Sequence, residues 1–419
     1  MIANLTPWRR RTLLIALCLV LLGLYTWAFH EFIVTGPVDA IAMDFYARYE
    51  PTRLYLTEGL NPYSDEATQI VHRGIYGDDH VKLEPQHAFF YPMYTMLIIA
   101  PYTLLPAFSW AQAAWQVTLQ VLLIASLLLT LDFLNWRPRL QVIILLGLWT
   151  FVLFPVTHSL VLGQFSVVTF FLTMLAIWLL FHGEPSARRD VLAGVCLAYS
   201  TIKPQMQFLI IPLLVLWALR ARRWHFIVSA ALSMLALFGV SFLMLPTWLS
   251  EWFGQVFSYA SYTPVLPPLL NILLEDFIPL GPGAAWVLRV LLVGWLLVEW
   301  WRLLRDGDER RLGWALAFTL VMTQLLSPHA SIYQYVVFLF ALLLVLQRLE
   351  AVHRLVMLGM MLALLIGDWS VFFATVDTEL FDLLLFPLPL VTLLLLVLSR
   401  ASTGRAAREQ LTHAHQLKT

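Results

Sequence analysis

Charge is scarce in this chain: 12% of its 419 residues are Asp, Glu, Lys or Arg, about half the share of an average soluble domain. Cysteine is almost absent. Cys18 and Cys196 are the two present, and each sits in an apolar run, where a small buried hydrophobe is the ordinary role. No disulfide framework is built from them. The sequence also lacks a P-loop, a nucleophile elbow, a dinucleotide fingerprint and any metal-ligand spacing. Ser64-Asp65-Glu66 with Asp78-Asp79 is acidic, but its spacing is not that of a calcium loop. These absences exclude nucleotide-driven enzymes, soluble hydrolases and metalloenzymes with a local motif. Neither a cofactor nor a metal is expected. Lys+Arg and Asp+Glu are both 26, so no charge excess points to nucleic acid. No polar segment is long enough to be a separate soluble enzyme.

What the chain has in quantity is apolar residues, 60% of the total, with a mean hydropathy of +0.77. One buried core cannot absorb that much; many lipid-facing stretches can. Apolar runs near the length that crosses a bilayer occur at Leu13–Val34, Phe108–Phe133, Leu140–Leu160, Phe165–Phe181, Val191–Ile202 and Gln205–Leu219. Six more occur at His225–Leu245, Ala284–Leu304, Leu312–Leu326, Ser331–Leu346, Leu355–Ala374 and Leu380–Leu398. The expectation is an all-α integral membrane protein with about twelve spans, one domain over residues 1–400 and a polar cytoplasmic tail over 401–419. The first run follows Arg9-Arg10-Arg11 and ends in Tyr25, Trp27 and Phe29 rather than a small-x-small cleavage site, so it reads as an uncleaved span.

Orientation follows from the loops. Arginines gather at 9–11, 137/139, 188/189, 220–223, 302–311, 348/354 and 400–408, whereas the alternate connections at Gly163-Gln164, Lys203, Pro246–Pro282, Ser327–Ala330 and Thr375–Glu379 carry almost none. The positive-inside rule places the first set and both termini in the cytoplasm, and the second set outside. Two segments are decided by this parity. Phe89–Pro106 carries Pro92, Pro101 and Pro106 and must not cross, so the first outer loop, 36–106, ends in a re-entrant or interfacial element. Asp190–Arg220 must cross twice. Its two arms of 12–16 residues are too short for a ~30 Å core, which puts the Lys203-Pro204 turn inside the protein on the outer side. A second outer loop covers 246–282.

Chemistry-bearing residues fall on that outer side. Asp44 lies about ten residues past the first span, among aromatics, where a carboxylate can serve as a general base; a solvated loop acid is the plainer reading. Gly163-Gln164 joins two spans and offers a neutral donor and acceptor, or is a simple turn. Lys203 at membrane depth is a functional candidate by default, with snorkelling to the headgroups as the alternative. His329, in Ser327-Pro328-His329, can donate to a phosphate oxygen or hold a structural turn.

Taken in order, these landmarks resemble glycosyltransferase family 87, the polyprenol-phosphate-sugar-dependent, mannosyltransferase-like group within the GT-C superfamily. The matching residues are Asp44-Phe45 with Tyr46, Gly59-x-Asn61-Pro62-Tyr63, Phe90-Tyr91-Pro92, Leu104-Leu105-Pro106, Gly163-Gln164, Ala193-Gly194 with Lys203-x-Gln205, Arg222-Arg223-Trp224 and Ser327-Pro328-His329. The resemblance spans roughly residues 40–340. It departs from the pattern at Met93, at the displaced Pro204, and in lacking a tryptophan after Ser327-Pro328. It implies a GT-C-type bundle in a bacterial cell membrane. The implied reaction is inverting transfer of a hexose, typically mannose, from a polyprenyl-phosphate donor to a hydroxyl of a glycan or glycolipid outside the membrane. Asp44 matches the family's general base. Lys203 and His329 are assigned to the donor phosphate. Tyr46, Asn61, Tyr63, Tyr91, Gln164 and Tyr333 are assigned to substrate. The rival classes are a transporter or flippase of lipid-linked sugars, and a non-catalytic subunit of envelope assembly.

Overall fold

A computed structural model describes residues 7–35, 42–77, 87–262, 268–307, 309–329, 331–376, 378 and 380–400. The 401–419 tail, Asp78-Asp79 and parts of both expected outer loops (36–41, 78–86 and 263–267) lie outside the described residues. Among those described, all regular structure is helical. Six of the described helices are long and apolar enough to cross a membrane: Phe108–Phe133, Trp224–Met244, Pro282–Asp306, Ile332–Val352, Arg354–Thr375 and Asp382–Arg400. A seventh is added if the bent pair Leu140–Val152 and Phe154–Val161, which meet at 62°, is one span. The chain is therefore a multi-pass helical membrane protein.

Twelve spans were expected, and every one of those runs contains helix. For four of the runs not counted, the difference is length. Helices Ser166–Phe181, Ala187–Ser200, Ile210–Arg220 and Glu309–Leu325 have 16, 14, 11 and 17 residues, or about 17–26 Å at 1.5 Å per residue, short of a ~30 Å hydrocarbon core. The expected break at Lys203-Pro204 is present: a 3₁₀ turn, Pro204–Met206, separates two of these short helices. Phe89–Pro106 holds a 3₁₀ turn and the eight-residue helix Met96–Thr103, too short to cross.

The chain divides into two compact units. The first comprises Met1–Leu123, Leu160–Gln164 and Val240–Tyr262. Helix α1 (Pro7–Phe29) is followed by α2 (Met43–Glu58) and α3 (Asp65–Tyr76), so the described part of the polar loop read from the sequence is largely helical. Gly59 ends α2 in the left-handed conformation, with φ +71°, the usual glycine stop. Asn61 then accepts the Tyr63 N–H, and Ser64 caps α3 by accepting from the Ala67 N–H. Helix Trp248–Tyr262, which the sequence reading left as loop, clamps this segment. Glu251 accepts from Asn61 Nδ2 at 2.6 Å, Gln255 Nε2 donates to the Tyr63 carbonyl at 3.0 Å, and Trp252 Nε1 donates to the Phe90 carbonyl at 3.0 Å.

The second unit comprises Ile124–Ser159, Phe165–Gly239 and Thr263–Thr419. Its arginine-bearing loops meet at one end. Asp132 pairs with Arg137 and His182, and Trp136 Nε1 donates to Glu350. Arg348 donates to Ser399, and Arg400 and Arg302 share Glu299. Arg220 donates to the Arg305 carbonyl, and Arg223 forks onto Asp190. The last pair ties the start of Ala187–Ser200 to the end of Ile210–Arg220, so the chain returns to the side it left. Gly194 lets this hairpin approach Trp224–Met244 backbone to backbone: a β-carbon there would lie 2.7 Å from the Ala230 nitrogen and the Phe226 oxygen, the close approach that small residues permit between membrane helices.

Candidate active site

In the first unit, Asp44 sits in the first turn of α2, where the exposed amides favour a negative charge. Its Oδ2 accepts a hydrogen bond from Gln164 Nε2, a residue 120 positions away. The reason lies in Gly163. Its φ is +70°, and a β-carbon would fall 2.9 Å from Phe45 Cβ and 3.3 Å from Ala42 Cβ. Only glycine lets the turn lie this close to the start of α2. The Ala42 N–H donates to the Val161 carbonyl at 2.7 Å, and Trp115 Nε1 to the Gly163 carbonyl at 2.8 Å. Phe45 stacks on Trp115 at 4.8 Å. Two distant sequence landmarks, Asp44-Phe45 and Gly163-Gln164, thus form one local structure.

Around it are side chains that sequence reasoning did not single out. His87 Nδ1 lies 3.8 Å from Asp44 Oδ1, and His87 Nε2 is hydrogen-bonded to the Tyr76 hydroxyl at 2.7 Å. Burial, followed by the negative charge of Asp44, raises the Tyr76 pKa above its ordinary value, so this phenol keeps its proton at neutral pH. Arg48, one helical turn after Asp44, is buried, with its guanidinium 4.8 Å from the Tyr91 ring centroid. Its Nε and Nη1 have no hydrogen-bond partner among the described residues. Nothing local in the sequence reveals these contacts, because α2, α3 and residue 87 are brought together only by folding.

The other residues assigned to substrate in this unit take distinct places. Tyr46 lies against Gly74 of α3, where a β-carbon would meet the tyrosine hydroxyl, and packs edge-on against Phe108 at 4.8 Å. Tyr63 is buried and donates to the Tyr91 carbonyl at 2.8 Å. Asn61 is engaged with Glu251 and the Tyr63 amide. Asn61, Tyr63 and Tyr91 therefore fix the shape of the segment that carries Asp44.

In the second unit, Lys203 is 3% exposed and does not reach out to the surface. Its Nζ donates to Ser166 Oγ at 2.9 Å and lies 4.4 Å from the Tyr333 ring centroid. Ser159 Oγ donates to the Tyr333 carbonyl at 2.7 Å, and the His158 ring stacks toward Tyr333 at 6.4 Å. His329 is half-buried, in a turn where the Ser327 hydroxyl donates to its carbonyl at 2.9 Å. Ser166–Phe181 and Ala187–Ser200 each lead from the Lys203 cluster to the arginine-rich end, a distance of about 21–24 Å along the helices. Ser166, which holds Lys203, follows Gln164, which holds Asp44, by two residues in the chain. Among the described residues no three His, Cys, Asp or Glu side chains gather as a metal site requires.

These features define a helical membrane protein with a carboxylate and a buried lysine, each held by polar partners. Residues 89–328 match the model of glycosyltransferase family 87. The match covers more than half of the chain, and the chain belongs to that family; it is a membrane glycosyltransferase with a donor and an acceptor substrate. No curated protein and no solved structure matches it. Tyr91, Gln164 and Lys203 fall within the matched region, Asp44 lies before it, and His329 and Tyr333 lie just after it.

Proposed function

We propose that the chain transfers a hexosyl residue, mannose foremost, from a polyprenyl-phosphate donor to a glycan or glycolipid hydroxyl outside the membrane, with inversion. The observation that carries this reading is the carboxylate of Asp44, held at a helix N-terminus by Gln164. Asp44 takes the proton of the acceptor hydroxyl as its oxygen attacks the anomeric carbon. The bond from that carbon to the phosphate oxygen breaks, and the electron pair leaves with the phosphate. Lys203 and His329 offset the charge that grows there. Tyr333 and Ser166 hold the lysine in place, and Tyr46 with the Asn61–Tyr63–Tyr91 segment supports helix α2, which bears the base. The meeting of the arginine loops at one end supports the positive-inside assignment, with both termini in the cytoplasm and Lys203 toward the outside.

The test is a transfer assay: purified protein, radiolabelled polyprenyl-phosphate mannose, and a glycolipid acceptor. Labelled acceptor is expected, whereas a flippase or an assembly subunit yields none. Lys203→Met keeps an unbranched side chain, one atom shorter, but removes the ammonium. It should weaken donor affinity about 10- to 100-fold, the worth of a charged hydrogen bond of roughly 1.5–3 kcal/mol. Unchanged donor affinity would reduce Lys203 to a packing role.

Orientation is tested separately. A cysteine at Leu280, which is exposed, should react with an impermeant maleimide added to intact cells. One at Glu184, in the exposed loop after Ser166–Phe181, should react only after lysis. The reverse pattern would invert the orientation.

A further inference from the structure

The general-base reading leaves His87 and Tyr76 without a part, yet they form a line that ends on Asp44. Tyr76, on α3, keeps its proton and has His87 Nε2 within hydrogen-bond range at 2.7 Å. A phenol that donates to Nε2 leaves the ring proton on Nδ1. Nδ1 is the atom that faces Asp44 Oδ1 at 3.8 Å. That spacing exceeds a hydrogen bond, as catalytic contacts commonly do before substrate binds, and a shift of about 1 Å closes it. Among the described residues, the titratable groups that face His87 are Asp44 from α2, and Tyr76 and His72 from α3, the last with its ring centroid 6.3 Å away. His87 itself has φ +69°, a conformation that histidine and asparagine tolerate better than most residues. The backbone thus holds the ring in a left-handed turn from which it points at the carboxylate.

We propose that His87 is the positioning residue for Asp44, oriented in turn by Tyr76. The inference rests on the reading of Asp44 as the base. Gln164 Nε2–H holds Oδ2, and His87 Nδ1–H holds Oδ1. With both oxygens engaged the carboxylate does not rotate. His87 touches neither the sugar nor the phosphate. It acts by fixing the direction from which the proton is taken, and a misplacement near 1 Å at such a step lowers rate by about 10²-fold.

The backbone conformation dictates the variants. His87→Gly removes the ring without strain at positive φ. His87→Asn keeps a donor near the Nδ1 position. Both are measured in the transfer assay beside Asp44→Asn. His87→Gly should lose about 10- to 100-fold in kcat, with donor KM little changed. Added imidazole should restore part of the loss, more effectively at pH values where imidazole is neutral. His87→Asn should retain more activity than His87→Gly, and Tyr76→Phe, which deletes one hydroxyl, should lose kcat in the same direction but less. Wild-type kcat in His87→Gly overturns the proposal. So does a loss that neither imidazole nor the asparagine variant relieves, since that is the mark of a structural defect. If His87→Gly does not fold, Tyr76→Phe and His87→Asn decide: wild-type kcat in both overturns the proposal. An active Asp44→Asn removes the base reading itself; an inactive Asp44→Asn beside a fully active His87→Gly removes only the role of His87.

Discussion

Asp44→Asn should fold, bind both substrates and lose turnover by about 10²–10⁴-fold, the usual worth of a general base. The substitution keeps size and shape. An asparagine oxygen can still accept from Gln164 Nε2, which now holds Oδ2, so the turn at Gly163 is left intact. What the variant lacks is a basic oxygen to take the hydroxyl proton. The companion controls are Glu58→Gln and Glu66→Gln. Glu58 ends α2 and lies 3.8 Å from Arg53, and Glu66 is exposed in the first turn of α3. Neither approaches Asp44 through a described contact, so both should retain near-normal rates. Initial-rate measurement with saturating donor separates the cases. Turnover close to wild type in folded Asp44→Asn would remove the residue from the mechanism.

Gly163→Ala should be nearly as damaging, by a different route. The new methyl group meets Phe45 Cβ at 2.9 Å and Ala42 Cβ at 3.3 Å. Both are atoms at the root of their side chains, so neither can swing away, and the α2 start or the turn must shift. Alanine also has to adopt φ +70°, which costs about 1–2 kcal/mol, and overpacking adds about 1–3 kcal/mol. A loss of roughly 2–5 kcal/mol is expected, read as a lower thermal midpoint in detergent. Transfer should fall by more than about tenfold, since displacement of Gln164 misplaces the carboxylate it holds. Gly239→Ala is the control: nothing lies within 4 Å of a β-carbon there and its φ is ordinary. A Gly163→Ala protein as stable and active as wild type would show that the turn does not set the position of Asp44.

Much of this protein is legible along the chain because the bilayer makes the requirement local. A span must be a long apolar helix, whatever packs beside it, and Phe108–Phe133 and Arg354–Thr375 are seen at once. Parity of arginine loops also needs only the sequence, and it placed the break at Lys203-Pro204 and denied a crossing to Phe89–Pro106. The count of spans was less secure. Hydropathy registers Ser166–Phe181 and Ile210–Arg220 beside the full-length spans although each is shorter than the hydrocarbon core, because buried and lipid-facing apolar helices look alike in composition.

The landmarks carried a mixed message that only packing could separate. Gly59 is a helix stop, Gly194 a helix crossing and Arg223 half of a buried ion pair; in the sequence they look no different from Asp44 and Lys203. The sequence alone determined that the chain is a polytopic helical membrane protein of this family, and it singled out an acid, a lysine and a histidine in connections between its apolar runs. Tertiary structure decided that Gln164 holds Asp44, that His87 and Tyr76 line up behind it, and that Lys203 is enclosed by Ser166 and Tyr333 rather than drawn to the surface. The physical reason is range. Hydropathy and helix breaks act over a few neighbouring residues, whereas the partner of Asp44 is 120 positions away and is brought to it by a glycine turn whose fit depends on the residues it meets.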